Sequence, residues 1–551
     1  MALNDEHLID VGLRSGLIDA ALLERLRLEA RRLRLPLLGM VQAHYRFPLS
    51  ALYRALAEQQ GLPYLDLHGM TVNAVLLKKM PPSLVQRKPL LPLDGGAATW
   101  LVVADPTDRG TIDTVQRLLG TALPLAMADP AALQLKVSQV MAGKSSILNA
   151  PTASAETETD LVLLLDTVIR EAYLHRASDI HLSTEASGLR VRLRIDGRLR
   201  DFPVAAPALA AMALVSRVKV LAGLDIAEQR QPQDGGFSYP LPPPIDRTFN
   251  IRVATAPTRL GERITMSLLG QEAHGLTLSE LGMLNDDLHR FRRAIHQPYG
   301  MVLLTGPTGS GKSTTLFAAL QEINRPEINI MTVENPIEYV IDGVSQVQTG
   351  PKISFAEALR SFLRHDPDVL MVGEIRDHET ADVAVKAAMT GHLVFSTLHT
   401  NNAVSAVTRL IDIGCEPFLI GSTMAAVIAQ RLVRRLCLNC RRPRPASAEE
   451  VQLLGGHDGE CFDIFEAAGC ALCQGTGFRG RLGLFETLWF DERLARLVAR
   501  GADEETLEAA AGERLKFMWE DGSEKVRLGL TTLDELRDVA LHKTRDLLAL
   551  S

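Results

Sequence analysis

The stretch MVLLTGPTGSGKSTTLFAAL, residues 301–320, decides the fold of the second half of this 551-residue chain. The apolar run MVLLT precedes a glycine-rich loop, and the segment TTLFAALQEI after the loop has the pattern of a helix. Gly306, Gly311, Lys312 and Ser313 match the consensus G-x-x-x-x-G-K-[ST]. A buried strand, such a loop and a helix in direct succession predict the opening of a parallel α/β sheet.

This loop predicts a binding site for a nucleoside triphosphate and its Mg²⁺ ion. Backbone N–H groups of such a loop point at phosphate oxygens, and Lys312 would supply positive charge to the β and γ phosphates. The Ser313 hydroxyl is the predicted magnesium ligand. The predicted phosphate-binding residues are Gly306, Pro307, Thr308, Gly309, Ser310, Gly311, Lys312, Ser313 and Thr314. The alternative is a glycine-rich turn without function, and the flanking strand and helix disfavour it.

Two further apolar runs end in carboxylates downstream of the loop. In DPDVLMVGEIRD the run Val369–Val372 precedes Glu374, and in NIMTVENPIEYV an apolar strand leads into Glu334 and Glu338. The carboxyl ends of parallel strands open at a bound nucleotide, so Glu374 is expected on the magnesium side. Glu334 directly follows its strand and is the better candidate to accept a proton from the attacking water. Glu374 alone would more often be an ordinary surface acid at a strand end, and the alternative for Glu334 is a loop acid before a proline-induced turn.

A fourth segment, GHLVFSTLHTNN, carries His392, Thr397 and His399 around another short strand. A single histidine is usually a hydrogen-bonded structural group. Two histidines in one strand and its loop favour a functional role.

Composition indicates a folded protein of several domains. Hydrophobic residues make up 46% and charged residues 23%, and the length suggests about three or four domains. The formal charge of −7 gives no overall attraction to nucleic acid or anionic lipid. Without a run of about 18 apolar residues or a secretory signal in MALNDEHLID, a cytosolic location is expected.

The chain divides into four predicted segments. Helical periodicity in ALLERLRLEARRLRL and LSALYRALAEQQ predicts a mostly helical N-terminal domain, and AGKSSILNAPTASAETETD has the composition of a flexible linker. Alternation in VRLRIDGRLRDF around an Asp-Gly turn predicts a half-buried hairpin in a mixed α+β domain. The predicted bounds are 1–141, linker 142–160, mixed domain 161–275 and α/β domain 276–551.

Four of the six cysteines form two C-x-x-C pairs. Cys437 and Cys440 are separated by 29 residues from Cys470 and Cys473. In a chain whose thiols stay reduced, this set predicts a tetrahedral Zn²⁺ site of structural type, at about 436–482. The alternative is four reduced thiols without metal.

The four α/β motifs resemble, in order and spacing, those of a known family. GPTGSGKST, TVENPIEY, VGEIRD and GHLVFSTLHTNN are similar to the Walker A motif, Asp box, atypical Walker B motif and His box of the ATPases of type II secretion and type IV pilus assembly. RASDIHL, VRLRIDG, LDIAEQRQPQDGG and PTRLGER extend the similarity to about residues 160–545. The resemblance implies a RecA-like P-loop ATPase domain, a preceding PAS-like α+β domain, an N-terminal docking domain and a zinc subdomain.

The resemblance also implies roles for single residues. Glu374 would position Mg²⁺ through water, Glu334 would activate the attacking water, and His399 would sense the γ-phosphate. Arg252 and Arg263 match arginines with which the preceding domain contacts phosphate, where a guanidinium neutralises transition-state charge.

Three positions depart from the family pattern. Asn335 replaces the aspartate that usually follows the first glutamate of the Asp box, and Ser267 and Gly236 stand at common arginine positions. Ser267 and Gly236 make the phosphate-binding surface less positive than in typical members, and Asn335 removes a negative charge near the metal. The three departures also motivate one alternative function, a nucleotide-sensing scaffold with little hydrolysis.

The resemblance implies a hexamer on the cytoplasmic face of the inner membrane, bound to platform proteins of a secretion or pilus machine. The zinc subdomain favours an assembly motor over a retraction motor. Pro36 replaces the glycine of a cyclic di-GMP motif, so docking is the expected role of the N-terminal domain. A basic patch near the first cysteine pair is a second predicted docking surface, made of Arg431, Arg434, Arg435, Arg441, Arg442 and Arg444.

A RecA-like nucleic-acid translocase is the remaining alternative, since it shares the P-loop and the sheet. The acidic balance and the few aromatic residues disfavour it, and no nucleic-acid partner is expected.

Overall fold

The computed structural model describes residues 5–548 apart from 34–36, 39–40, 42–48, 68, 82–83, 86–87, 96–97, 148–157, 205–207, 242–246, 270–276, 351 and 458. The chain forms two compact units. Unit 1 comprises Met1–Gln271, Leu436–Arg442 and Ala467–Arg479. Unit 2 comprises Glu272–Arg435, Pro443–Glu466 and Gly480–Ser551.

The N-terminal part of unit 1 is mostly helical and also contains a small sheet. Its helices are Asp5–Arg14, Ala20–Leu33, Leu49–Gln59, Ala74–Leu77, Arg109–Leu119 and Pro130–Ile147. The sheet has the order β1 (Thr71–Val72), β2 (Leu90–Asp94), β3 (Thr99–Val103), β4 (Leu125–Met127). The helical periodicity did not reveal this sheet, because β2 is a short run buried on both faces and lacks the alternation of a half-exposed strand.

The second part of unit 1 is the predicted mixed α+β domain. Two helices, Glu158–Leu174 and Ala208–Leu221, pack with an antiparallel sheet of order β7-β6-β5-β10-β9-β8. The strands are β5 (Ala177–Glu185), β6 (Gly188–Ile195), β7 (Arg198–Phe202), β8 (Gln233–Leu241), β9 (Arg247–Thr258) and β10 (Gly261–Leu268). The predicted hairpin is confirmed as β6 and β7. Asp196 and Gly197 form its turn with φ of 49° and 85°, as two-residue hairpins favour.

The predicted linker 142–160 falls mainly on residues 148–157, which lie outside the described part of the chain. The helices Pro130–Ile147 and Glu158–Leu174 cover its two ends.

Unit 2 is built on an eight-stranded sheet of order β13-β12-β14-β15-β11-β16-β19-β20. The strands are β11 (Gly300–Thr305), β12 (Ile330–Glu334), β13 (Ser345–Gln348), β14 (Val369–Val372), β15 (Leu393–Leu398), β16 (Met424–Leu436), β19 (Phe478–Trp489) and β20 (Leu515–Lys516). Strands β11 to β16 pair in parallel, which confirms the predicted α/β sheet. Every residue of β11, β14 and β15 is buried, as in a sheet covered on both faces.

Helices and one small ribbon complete unit 2. The helices are Asn285–Ile295, Lys312–Ile323, Phe355–Phe362, His378–Met389, Val404–Ile413, Pro417–Thr423, Ala448–Leu453, Glu492–Ala499, Glu504–Ala511, Met518–Arg527 and Leu533–Leu548. The segment between the two cysteine pairs contains the two-stranded sheet of β17 (Arg442–Pro445) and β18 (Asp463–Glu466). Across the described residues, no helix has both the length and the apolar character that a membrane crossing needs.

Candidate nucleotide site and tetracysteine centre

The P-loop lies between β11 and the helix Lys312–Ile323. The backbone φ angles of Gly306, Gly309 and Gly311 are 144°, 78° and 89°. Residues with a side chain rarely adopt such positive φ angles. At Gly306 a Cβ would also lie 2.5 Å from the carbonyl oxygen of Gln430, so this position requires glycine for space as well. The sequence therefore forms the loop because glycines stand where the backbone turns and where β16 approaches.

Lys312 lies inside this loop. Its ammonium group donates hydrogen bonds to the carbonyl oxygens of Gly306 at 2.7 Å and Pro307 at 3.1 Å. Burial lowers the pKa of Lys312 from 10.5 to about 8. The charges of Glu374 and Glu338 raise this pKa and that of Arg431 lowers it, both as smaller effects. Burial therefore makes this ammonium group easier to deprotonate than that of an exposed lysine.

The parallel sheet brings three of the predicted catalytic residues to one edge. Glu334 ends β12, Glu374 follows β14, and His399 follows β15, and these strands are parallel to β11. Carboxyl ends of parallel strands lie on the same side of a sheet, so the three residues share the edge at which the P-loop opens. His399 Nε2 lies 3.3 Å from Glu374 Oε2, and Arg376 donates to Glu374 Oε1 at 2.7 Å.

His392 is not part of this cluster. It precedes β15 and therefore lies at the opposite edge, where its Nδ1 is 2.9 Å from the carbonyl oxygen of Ala387. Thr397 donates to the carbonyl oxygen of Gly373 at 2.7 Å, which ties β15 to the segment before Glu374. A strand of six residues separates His392 from His399, so the two histidines do not lie at one site.

Glu334 is held by two side chains that the sequence analysis did not single out. The Thr332 hydroxyl and the Gln346 amide donate to Glu334 Oε1 at 2.6 and 3.0 Å. Thr332 could have been found, since residues two apart on a strand share a face. Gln346 lies on the neighbouring strand β13, which only the sheet order reveals.

Gln430 and Arg431 on β16 were also missed as parts of the nucleotide site. Gln430 Oε1 accepts a hydrogen bond of 2.8 Å from the Thr315 hydroxyl. The Arg431 guanidinium donates to the carbonyl oxygens of Gln430 at 3.2 Å and Asn401 at 3.1 Å. A Cβ at Gly306 would lie 3.1 Å from the same guanidinium, so Arg431 borders the P-loop.

Three of the six arginines in the predicted basic patch are engaged in contacts within the chain. Arg431 borders the P-loop, and Arg434 forms an ion pair of 2.7 Å with Glu535, with both side chains largely buried. Arg444 pairs with Glu450 and Glu466 at 2.6 and 2.5 Å. Carboxylates 6 to 101 residues away pair with Arg434 and Arg444, and a count of arginines could not show them.

The arginines predicted to contact phosphate lie on the sheet of unit 1. Arg252 on β9 is exposed. On the two neighbouring strands, Ser267 and Gly236 pair with Arg252. The two positions that depart from the family's arginines therefore lie on either side of Arg252 in the sheet. The Ser267 hydroxyl donates instead to Asp179 at 2.7 Å.

Arg263 on β10 has a histidine partner. Its guanidinium lies 3.2 Å from Nδ1 of the buried His181. Burial lowers the pKa of His181, with the charge of Arg263 as a smaller cause. A neutral ring can accept this hydrogen bond, so His181 orients Arg263.

The four predicted zinc ligands come together in unit 1. Their Sγ atoms lie within 4.8 Å of one another, and Cys437–Cys470, Cys440–Cys473 and Cys470–Cys473 are each separated by 3.8 Å. A tetrahedron with Zn–S bonds of about 2.3 Å has edges of about 3.8 Å. Backbone N–H groups of Gly469 and Gly477 point at these sulfurs, as they would at thiolates. The donor set therefore fits Zn²⁺.

Comparison with known proteins agrees with this geometry. The family model described as type II/IV secretion system protein matches residues 154–538, and the MshEN domain model matches residues 60–147. The type II secretion system ATPase E of Vibrio cholerae is 47% identical over 393 residues, 71% of this chain and 77% of that protein. The type II secretion system protein E of Pseudomonas aeruginosa is 40% identical over 483 residues, 83% and 95% of the two chains.

A solved structure shows the same fold. The ATPase DotB of Legionella pneumophila aligns with a TM-score of 0.53 at 22% identity, covering 73% of this chain and 98% of that one. The P-loop, the acids at the strand ends and the similarity over most of the chain lead to one assignment. The chain is an ATPase and belongs to the type II/IV secretion system protein family.

Proposed function

We propose that this ATPase works as a hexameric ring that powers the assembly of a pseudopilus or pilus in a type II secretion or type IV pilus system. The observation that carries the proposal is the convergence of the P-loop, Glu334, Glu374 and His399 at one edge of a parallel sheet. The relatives named for type II secretion favour this function over a nucleic-acid translocase and over a non-hydrolysing scaffold.

Hydrolysis would use groups of this chain in distinct roles. Lys312 binds the β and γ phosphates, and Glu334, oriented by Thr332 and Gln346, takes the proton of the attacking water. Mg²⁺ held by the Ser313 hydroxyl and, through water, by Glu374 would neutralise charge on the β and γ phosphates.

His399 would report the presence of the γ-phosphate. His399 lies 3.3 Å from Glu374, so a movement of the His399 ring would alter its contact with the carboxylate beside the metal. Arg252 and Arg263 would add positive charge to the transition state, with Arg263 oriented by His181.

The N-terminal domain would dock the ring on inner-membrane platform proteins at the cytoplasmic face of the membrane. Residues 60–147 of this domain match the MshEN domain model. Cys437, Cys440, Cys470 and Cys473 would hold a structural Zn²⁺.

ATP turnover by purified protein tests the catalytic roles. Glu334→Gln should bind ATP with the affinity of the wild type and hydrolyse it about 100-fold or more slowly, because it keeps shape but loses the base. Lys312→Ala should lose ATP binding. Wild-type turnover no faster than that of either variant would contradict the proposal.

The ring is tested by light scattering of the full chain with and without a non-hydrolysable ATP analogue. We expect a mass of six chains when the analogue is bound. A monomer under all conditions would contradict the ring, and stimulation of turnover by DNA would favour the translocase.

A further inference from the structure

The tetracysteine centre touches the N-terminal domain within unit 1. Asn439 lies between two of the cysteines, and its amide donates to Cys470 Sγ at 3.3 Å. The carbonyl oxygen of the same side chain accepts a hydrogen bond from the Ser50 hydroxyl. Ser50 is only 3% exposed and stands at the start of the helix Leu49–Gln59. One amide therefore joins a zinc ligand to a buried residue of the N-terminal domain.

Apolar contacts accompany this bridge. Ala471 and Leu472, between the last two cysteines, pack against the hydrophobic core of the N-terminal domain. The short 3-10 turn that carries them, Ala471–Cys473, also contacts the helix Pro130–Ile147. Ala471 and Leu472 thus present apolar side chains to the N-terminal domain from a turn that lies between the zinc ligands Cys470 and Cys473.

The module has only a small core of its own. Its own buried cluster consists of the cysteines and Leu472. A core of this size does not hold a chain segment in one conformation without metal. The positions of Asn439, Ala471 and Leu472 therefore depend on the zinc ligands beside them.

We infer that the tetracysteine module, residues 436–442 and 467–479, is the docking surface for the N-terminal domain of the same chain, and that zinc keeps this surface in its binding shape. Removal of zinc releases the N-terminal domain. The inference rests on the zinc assignment and is independent of the motor function.

Hydrogen exchange of the full chain, followed by mass spectrometry, tests the inference. The readout is amide protection in the helix Leu49–Gln59, compared between protein as purified and protein stripped by a chelator, with zinc content measured on the same samples. We expect exchange in this helix to become roughly tenfold or more faster when zinc is removed. Unchanged protection after complete removal, or full protection in protein purified without zinc, would overturn the inference.

Leu472→Glu separates docking from metal binding, because all four cysteines remain. It should retain zinc and lose protection in the helix Leu49–Gln59. The matched control is Ala468→Glu, which adds the same charge to an exposed residue of the module and should change neither quantity. Equal loss of protection in the two variants would overturn the inference. A loss of protection on dilution would also overturn the inference, because the N-terminal domain would then be docked on a second copy of the chain.

Discussion

The Thr315 hydroxyl donates a hydrogen bond of 2.8 Å to Gln430 Oε1, and the two side chains are 0% and 2% exposed. Thr315 lies in the first turn of the P-loop helix, and Gln430 lies on β16. A Cβ at Gly311 would meet the Gln430 amide at 2.8 Å, so this side chain also packs directly behind the loop. The P-loop is therefore supported from β16 by one buried polar contact.

Gln430→Met should destabilise the protein, because it keeps the volume and leaves the buried Thr315 hydroxyl without a partner. The expected loss in free energy of unfolding is about 1–3 kcal/mol, measured by urea denaturation. Thr315→Val combined with Gln430→Met removes both polar groups and should recover much of the loss. If the double variant is as unstable as the sum of the single ones, the bond is not the cause.

ATP binding should weaken as the pH rises above about 8. The pKa of Lys312 is lowered to about 8, so the ammonium group loses its charge from that pH upward. The triphosphate binds the charged form, so the Kd should increase above pH 8, with a limiting slope of about tenfold per pH unit. Titration calorimetry between pH 7 and 9.5 measures both the Kd and the proton uptake on binding.

Lys312→Arg is the control for this pH dependence. A guanidinium keeps its charge throughout the range, so any remaining ATP binding should take up no proton. A wild-type Kd that is flat to pH 9.5 would show that the lysine keeps its proton in the folded protein.

Gln346→Leu should lower kcat by about tenfold with little change in KM, because it removes one of the hydrogen bonds that orient Glu334 and leaves the phosphate site intact. Gln348→Leu on the same strand is the matched control, since Gln348 binds the Ile337 backbone instead. Equal losses of kcat in both variants would mean that the strand, and not the Glu334 contact, matters.

Lys525→Met should be among the most destabilising substitutions in unit 2. Lys525 is completely buried, forms an ion pair with Asp521 and donates to the Gly483 carbonyl oxygen at 2.7 Å. Breaking the pair leaves an uncompensated buried carboxylate, at a cost of about 3–5 kcal/mol in unfolding free energy. Lys525→Met with Asp521→Asn removes that charge and should be the more stable of the two variants in thermal denaturation. A single variant with wild-type stability would contradict the role of the pair.

Features that are encoded by residues close together in the chain could be predicted from the sequence. The P-loop could be predicted because its glycines, Lys312 and the flanking strand are contiguous, and the hairpin because Asp196 and Gly197 encode their own turn. The cysteine set could be predicted because thiolate chemistry allows few uses for two C-x-x-C pairs at this spacing.

Contacts between distant elements could not be predicted in this way. Gln346 supports Glu334 only because β13 is the neighbour of β12, and Glu535 neutralises Arg434 from about a hundred residues away. The small sheet of the N-terminal domain was missed for a different reason. Its central strands are short and apolar on both faces, and such runs resemble segments of buried helices.

The strand that carries the P-loop also offers an attachment point for a dye. Tyr299 is 59% exposed and lies just before β11, at the amino edge of the sheet. Six strand residues, about 20 Å, separate this edge from the phosphate site. A fluorophore attached to the new thiol of Tyr299→Cys would therefore move with the ATPase core without contacting the phosphate site. Motion during turnover could then be followed by energy transfer.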